Sequence, residues 1–253
     1  MTVIIKYPRQ TKEGNKVFFE KKDKELTNED WTKWGGWFDT DGTFVTLLQK
    51  AVSLKLKDKQ PVELFSKTFE TSLTNWIAKT TVPDGTKYTT TIYQTVVREK
   101  KAEWFARNVY PYLIKQEKKD YAAKLLGYRP ESKDFADWTP EEVIHYLATA
   151  LEGDGHFTFD RRMKTLKVRV GLCSNDVQYL SDVNTLVNDK LGKFFSGIYE
   201  TSVYKTKKGD HHMYRAAAYG SLNHNFDIFQ SLAKDGVMTL DRKKQKVQKF
   251  VNQ

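Results

Sequence analysis

Two nine-residue stretches end in the same chemistry. WGGWFDTDG occupies 34–42 and is followed by Thr43 and Phe44; LATALEGDG occupies 147–155 and is followed by His156 and Phe157. Each runs from apolar and small residues into an acid, a spacer, Asp-Gly, a spacer and Phe. The second acids, Asp41 and Asp154, lie 113 positions apart, a repeat of domain size rather than a solenoid unit. Two carboxylates brought to one point repel each other, and a divalent cation relieves the repulsion. Magnesium suits carboxylate, water and phosphate oxygens. Beneath a basic surface, two such acids with metal form a site for phosphodiester hydrolysis.

The elements that must position these acids can be read around them. Thr27 and Thr139 are N-cap candidates, with Asp30 and Glu142 three residues on and Pro140 where a helix tolerates proline. A helix of about four turns is therefore predicted over each motif, stopping at Gly42 or Gly155. Gly35, Gly36, Ala148 and Ala150 permit the two helices to approach closely. After each motif comes period-two alternation: Val52, Leu54 and Leu56 against Ser53, Lys55 and Lys57, then Leu166, Val168, Val170 and Leu172 against Lys167, Arg169 and Gly171. This puts one apolar face on a core and one basic face outward.

Helical stretches follow at 61–73 and 177–191, then hairpins with strands near 75–82 and 88–98, and 198–206 and 213–219. Their turns are read at Pro83-Asp-Gly-Thr and Lys207-Lys-Gly-Asp. Helical pairs near 101–126 and 224–250 close each half. The predicted organisation is an N-terminal extension over 1–26, a first α-β-β-α-β-β-α repeat over 27–126, a linker over 127–138 and a second repeat over 139–253. The extension, with Val3-Ile-Ile and Val17-Phe-Phe, suggests a strand or two packed on the first repeat.

Composition narrows the setting. The 253 residues carry 42 Lys plus Arg against 32 Asp plus Glu, a formal charge of +10, which raises the prior for a polyanion partner. Apolar residues at 39% are enough for a core. Cys173 is the single cysteine, which excludes a disulfide framework and a Cys-based zinc site within one chain. No apolar run reaches membrane-spanning length, and MTVIIKYPRQTKEG does not read as a signal peptide. An intracellular protein is expected, in a bacterial or phage cytoplasm or an organelle matrix.

The two motifs resemble those of the LAGLIDADG homing endonuclease family in its single-chain, two-motif form. LATALEGDG is the nearer match; WGGWFDTDG departs at Trp34 and Trp37 but keeps Gly36, Asp39, Asp41 and Gly42. The stretch at 100–126, with Pro111-Tyr-Leu and a Lys-rich turn, is similar to the family's closing helices. The resemblance covers most of residues 27 to 250. It implies an α+β fold of two pseudo-symmetric αββαββα repeats, with two curved antiparallel sheets as a DNA-binding saddle and the motif helices packed at the centre. It implies a monomer that makes a double-strand break in a long asymmetric DNA target.

By that resemblance Asp41 and Asp154 are the metal-binding acids, with the backbone carbonyls of Thr40 and Gly153 as further ligands of Mg2+, two or more cations in all. Asp39 and Glu152 take a structural role at the helix ends. A lysine near the active site, counted back from Pro111-Tyr-Leu, falls at Lys100, or at Lys101 in the alternative register; the same count in the second half reaches Asn223 and His224, where no lysine exists. Asn175 or Asp176, and Lys57 to Lys59, are candidates for positioning water. DNA contacts are expected from Ser53, Lys55, Lys57, Arg98, Lys164, Lys167, Arg169, Lys205, Lys207 and Arg215. Some members of the family act as intron RNA maturases and others as non-cleaving DNA-binding regulators. Retention of both acids favours cleavage, with intron RNA as the alternative partner.

Plainer readings compete at single residues. A lone Asp-x-Asp-Gly is also a turn or the start of a calcium loop, but Thr43 and Phe44 do not supply the further oxygens such a loop needs. Basic residues on one strand are most often a solvated face; the saddle reverses those odds. His145 reads as a packed histidine, His156 equally as a turn residue or a DNA contact, and His211-His212 equally as a contact or an exposed tip. The run RKKQKVQK at 242–249 is more often a solvated helix face than a specific reader. The chain begins MTVII and ends KFVNQ, without the nucleophile and His-Asn ends of a self-splicing segment, so a free-standing or intron-encoded protein is expected.

Overall fold

The computed structural model describes residues 8–10, 16–18, 26–46, 49–81, 86–160, 167–206, 209–221 and 224–252. Strands β1 (Pro8–Gln10) and β2 (Lys16–Phe18) form an antiparallel pair ahead of the first motif. Then α1 (Asn28–Thr40), β3 (Gly42–Val45), β4 (Ala51–Leu56), α2 (Lys59–Thr68), β5 (Leu73–Thr81), β6 (Lys87–Arg98), α3 (Glu99–Val109) and α4 (Gln116–Leu126) follow one another. The order repeats as α5 (Pro140–Gly153), β7 (Gly155–Asp160), β8 (Lys167–Ser174), α6 (Val177–Leu191), β9 (Phe195–Thr206), β10 (Gly209–Gly220), α7 (Phe226–Ala233) and α8 (Asp241–Val251). Each repeat holds one four-stranded antiparallel sheet, in the orders β3-β4-β6-β5 and β7-β8-β10-β9. The chain is thus α+β, with two matching repeats as expected.

The helices start where local chemistry says they should. Thr27 and Asp30, and Thr139 and Glu142, close reciprocal capping boxes, and Pro140 takes the first helical position. The ends correct the expectation by a residue or two. α1 ends at Thr40 and α5 at Gly153, so Asp41 and Asp154 are themselves the C-caps. Gly42 and Gly155 do not take the left-handed conformation of a glycine cap. They are glycines because a Cβ would come within 2.3 Å of Phe38 Cγ and of Leu151 O respectively, as the chain turns back over its own helix into the strand.

The period-two reading holds in β8 as far as Val170; in β4 it holds only at the end, since Ala51 to Leu54, Ser53 included, are all buried. Val52, Leu54, Val168, Val170 and Leu172 are buried, while Lys55 and Arg169 are exposed on the opposite faces. Leu166 lies outside the described residues, and Lys57 sits just past the end of β4. The two halves fill their cores differently. Trp34 packs edge-on to Phe65 with centroids 5.1 Å apart, and Phe38 lies 4.5 Å from Phe105. At matching places on α5 stand Leu147 and Leu151, both fully buried. Trp34 departs from the motif pattern because the first half is filled with aromatic rings; Trp37 is buried as well.

Both hairpins form, but their predicted turns at Pro83 and Lys207 fall largely on 82–85 and 207–208, outside the described residues. The segment 127–138 starts with Gly127 at φ +79, holds a single 3-10 turn at Phe135–Asp137 and ends on the buried Trp138. No described helix is long and apolar enough to cross a membrane.

Candidate active site

The two motif helices pack against each other through a reciprocal pair of small residues. A Cβ on Gly36 would meet Thr149 Oγ1 at 2.2 Å and Tyr146 O at 2.6 Å; a Cβ on Gly153 would meet Thr40 Oγ1 at 2.2 Å and Asp41 Oδ2 at 2.6 Å. Gly36 and Thr149 are 113 positions apart, as are Thr40 and Gly153, so each contact joins equivalent positions of the two repeats, and the two contacts lie four residues apart along the helices. Both threonines fold their hydroxyls back onto their own helices: Thr40 donates to Gly36 O and Trp37 O, and Thr149 to His145 O and Tyr146 O. Gly35 serves a different contact from the one expected. Its missing Cβ makes room for the backbone of Tyr112 in the same half.

This crossing brings the two C-capping acids together. Asp41 is partly buried, and its Oδ2 has no hydrogen-bond partner. Burial first, then the negative charge of Asp154, push its carboxyl up to about 6, against the pull of Thr40, Lys118 and Lys243. Asp154 keeps an exposed edge, and desolvation of its carboxylate shifts it upward too, opposed by Lys115, Lys243 and Lys118.

Asp39 and Glu152 do something definite with their buried carboxylates. Asp39 accepts the backbone N–H groups of Ile114 and Lys115 at 2.7 and 3.2 Å, just before α4. Glu152 accepts those of Thr239 (2.6 Å) and Leu240, just before α8. Each thus ties its motif helix to the start of its own closing helix, where orphan donors need acceptors. Tyr146 adds a bond of 2.5 Å to Asp39, and burial still pushes Asp39 and Glu152 each up to about 7.

Two lysines that the sequence reading passed over sit beside the acids. Lys118 Nζ donates to Gly42 O at 2.6 Å. Lys243, only 5% exposed, donates to Leu151 O, Glu152 O and Gly155 O at 2.8, 2.6 and 2.7 Å. They are counterparts, each third in its closing helix and 125 positions apart. A cation at a helix C-terminus is favourable, and Lys243 takes the carbonyls on either side of Gly153. Its replacement by Met leaves three buried acceptors unpaired and is expected to cost about 2–4 kcal/mol in a urea melt. Lys118→Met, with one bond to lose, is expected to cost under about 1 kcal/mol. Equal losses would contradict this division of labour.

Lys100 is not brought to the site. Gly42 pairs with Leu54, whereas Arg98 pairs with Ala51, three residues away along β4. That places the start of α3 about 10 Å from the acid end of the sheet, with exposed Lys100 and its alternative Lys101 beyond it. The second half does have a lysine by its acid, Lys243, rather than the gap read at Asn223 and His224. The paired lysines Lys118-Lys119 and Lys243-Lys244 at the starts of the closing helices are the signal that could have found it.

The other expected site residues are dispersed along the two sheets. Lys55 rests 5.2 Å over the Trp76 ring, and Lys57 is exposed on the bend after β4. Arg98 is exposed at the far end of β6. Ser53 is only 6% exposed between β3 and β6, too covered to be a surface contact. In the second sheet Lys167 opens β8, and Arg169 stacks 5.4 Å over Tyr219. Arg215 and His156 share the floor left by Gly171, where a Cβ would meet His156 Cε1 at 2.2 Å and Arg215 Cδ at 2.7 Å. Lys164 and Lys207 lie outside the described residues, and only the backbone of Lys205 is described, in β9 opposite Asp210. Asp176 caps α6 through Tyr179 N at 3.0 Å, Asp58 holds Arg242, Lys59 pairs with Glu63, and Asn175 is exposed. His145 is half-buried within α5.

The acids fit a divalent cation. The unpartnered, buried Asp41 Oδ2 faces the space that Gly153 leaves open. Among the described residues no group of three or more His, Cys, Asp or Glu exists to hold a metal by side chains alone. Two carboxylates at helix ends are hard oxygen donors that leave positions for water and phosphate, the set magnesium accepts.

No protein-family model and no curated protein sequence matches the chain. Among solved structures it is similar to a mutant of I-SmaMI, with a TM-score of 0.50 and 12% identity over 90% of both chains. It also aligns with the homing endonuclease I-WcaI bound to its DNA recognition sequence (TM-score 0.47, 16% identity, 88% of this chain and 87% of that one). A third alignment is with a mutant of I-DmoI in complex with its target DNA in the presence of manganese (0.41, 14%, 82% and 96%). At such identities the likeness to I-SmaMI speaks to the fold, and the single-chain, two-motif fold expected from the LAGLIDADG resemblance is the fold found.

Proposed function

We propose that this chain is a site-specific DNA endonuclease of the LAGLIDADG homing type, in which Asp41 and Asp154 hold divalent metal at the junction of two DNA-tracking sheets. The observation that carries the reading is the pair of acids meeting at the helix crossing, with Asp41 Oδ2 buried and unpartnered. The repeats over 27–126 and 139–253, joined by 127–138, would each take half of a long asymmetric duplex. The backbone carbonyls of Thr40 and Gly153 complete the oxygen set. Magnesium, when bound, supplies an activated water and stabilises the leaving oxygen.

The chain's own residues do the rest. Gly36, Gly153, Thr40 and Thr149 set the separation of the acids. Asp39 and Glu152 fix the closing helices against the motif helices, and Lys118 and Lys243 pin the chain where it leaves α1 and α5. Lys55, Lys57, Arg98, Lys167, Arg169 and Arg215 face the DNA, some on phosphates and some on base edges. With about four phosphate contacts, affinity is expected to fall ~100-fold between roughly 50 and 200 mM salt. A flat salt dependence in a filter-binding assay would argue against the saddle as the binding face.

Selection from a random duplex pool in chelator, followed by magnesium, tests the reading. Enrichment of one long site that is then cut on both strands is expected. Recovery of no preferred duplex, or of bound duplex that magnesium never cuts, would remove it.

A further inference from the structure

We infer that Arg169 and Arg215 set the base preference of the second sheet, each reading the edge of a guanine, the two guanines lying within about two base-pair steps of each other in one half of the target. The inference rests on the endonuclease reading above in taking duplex DNA as the partner of this face.

A cavity of about 300 Å³ opens on the outward face of the second sheet, lined by Arg169, Arg215, His156, Thr158 and Tyr219 among others. The strand registers show how it forms. Directly paired residues share a face, and successive rows on that face lie two residues apart along a strand. One row runs His156, Gly171, Ala217 and Gly197, so it carries nothing larger than a methyl on β8, β10 and β9. The row on one side of it is Thr158, Arg169 and Tyr219, and the row on the other is Cys173, Arg215 and Tyr199. An arginine therefore stands on either side of a bare floor, one on each of the central strands β8 and β10.

Both guanidinium groups are positioned by their neighbours. Arg169 stacks 5.4 Å over the Tyr219 ring, which holds its planar fork of donors in one orientation. Arg215 lies down across the bare row. Its Cγ and Cδ come within 2.9 and 2.7 Å of where a Gly171 Cβ would stand, and His156 Cε1 comes within 2.2 Å of the same point. The side chain thus crosses from β10 onto β8, and His156 stops it from going further. Its Nε is buried with no hydrogen-bond partner. Lying over Gly171 puts Arg215 two residues from Arg169 along β8, roughly 7 Å, or about two base-pair steps.

Among the described residues the cavity is lined by no carboxylate and no side-chain amide. It presents the donors of two guanidinium groups, with the hydroxyls of Thr158 and Tyr219 able to turn either way. In the major groove guanine alone offers two acceptors, N7 and O6, with no donor beside them, and arginine meets both at once. Adenine and cytosine would each aim an amino N–H at a donor, and thymine sets a methyl beside its one acceptor. The bare row lets the floor of the groove descend between the two arginines, which puts base edges rather than phosphates against them.

The test is selection of the full chain on a random duplex pool in chelator, read for base preference at each position. The parent should recover a site with two guanines at that spacing in one half. Replacing N7 of either guanine by C–H, as in 7-deazaguanine, should weaken binding about 10-fold, a readout that leaves the protein untouched. Arg215→Gln should turn the preference at one of the two positions to adenine, and Arg169→Gln at the other, because glutamine pairs with adenine N6 and N7. Gly171→Ala keeps both arginines but displaces Arg215, so it should blur that position alone. A parental site without the guanine pair, 7-deazaguanine bound as well as guanine, or arginine variants that lose affinity equally on every duplex, as phosphate contacts would, each overturn the inference. The endonuclease reading then stands if magnesium still cuts the recovered duplex. Recovery of no preferred duplex would remove both.

Discussion

Asp41→Asn is expected to raise the melting temperature of the metal-free protein at pH 7–8 while leaving DNA binding within a few-fold of the parent. Burial and the charge of Asp154 push the Asp41 carboxyl to about 6, above its ordinary 3.8. A carboxyl raised on folding binds more protons folded than unfolded. The penalty for charging it is therefore absent below about pH 4, grows as pH rises towards 6, and is constant above. Fully counted, the shift is worth ~3 kcal/mol; partial solvent access reduces this to roughly 1–2 kcal/mol. For a chain of this size that is about 2–8 °C. The difference between variant and parent should vanish near pH 4 and reach its full value by pH 7. Added magnesium should raise the parent's melting temperature and close much of the gap. A variant less stable than the parent in chelator at neutral pH would mean that Asp41 is satisfied within the fold rather than waiting for a cation.

Gly36→Ala is expected to lower cleavage by about 100-fold or more and stability by about 1–3 kcal/mol. The added methyl would meet a hydroxyl at 2.2 Å and the Tyr146 carbonyl at 2.6 Å across the helix crossing. Of these only the hydroxyl can turn away, so the backbones must separate. Asp41 caps α1 five residues further on, where a small separation moves one acid relative to the other. Turnover should fall far more than DNA affinity, because the sheet faces are left in place. Thr149→Ala, by contrast, removes atoms from the same contact and should preserve cleavage within several-fold. Denaturant melts and single-turnover rates on the selected duplex measure both effects, and a Gly36→Ala protein with parental turnover would show that the crossing does not set the acid pair.

Local rules were enough to find much of this architecture. The capping boxes at Thr27 and Thr139 are legible because both partners lie within one turn of each other. The alternation of Val168 and Val170 with Lys167 and Arg169 is legible because a half-buried strand repeats every two residues, whereas Ser53 is covered together with its apolar neighbours in β4. The acids were visible because they recur in matching contexts. What escaped depends on contacts across long stretches of chain. Lys118 and Lys243 look like solvated helix residues until α4 and α8 dock on the motif helices 76 and 88 residues away. Lys100 lies on the continuation of a strand that runs away from the acids, a direction fixed by sheet register and not by distance from Pro111. Gly42 and Gly155 read as left-handed caps, but their need is for space against Phe38 and Leu151.

The endonuclease account is tested most directly by incubating the selected target plasmid with the parent, Asp41→Asn or Asp154→Asn in magnesium and resolving supercoiled, nicked and linear DNA. The parent is predicted to make linear product, and each Asn variant to retain binding but form less than ~1% as much, since loss of one metal-holding acid removes the site's charge complement. If either Asn variant cuts as well as the parent, the assignment of the chemistry to Asp41 and Asp154 is wrong.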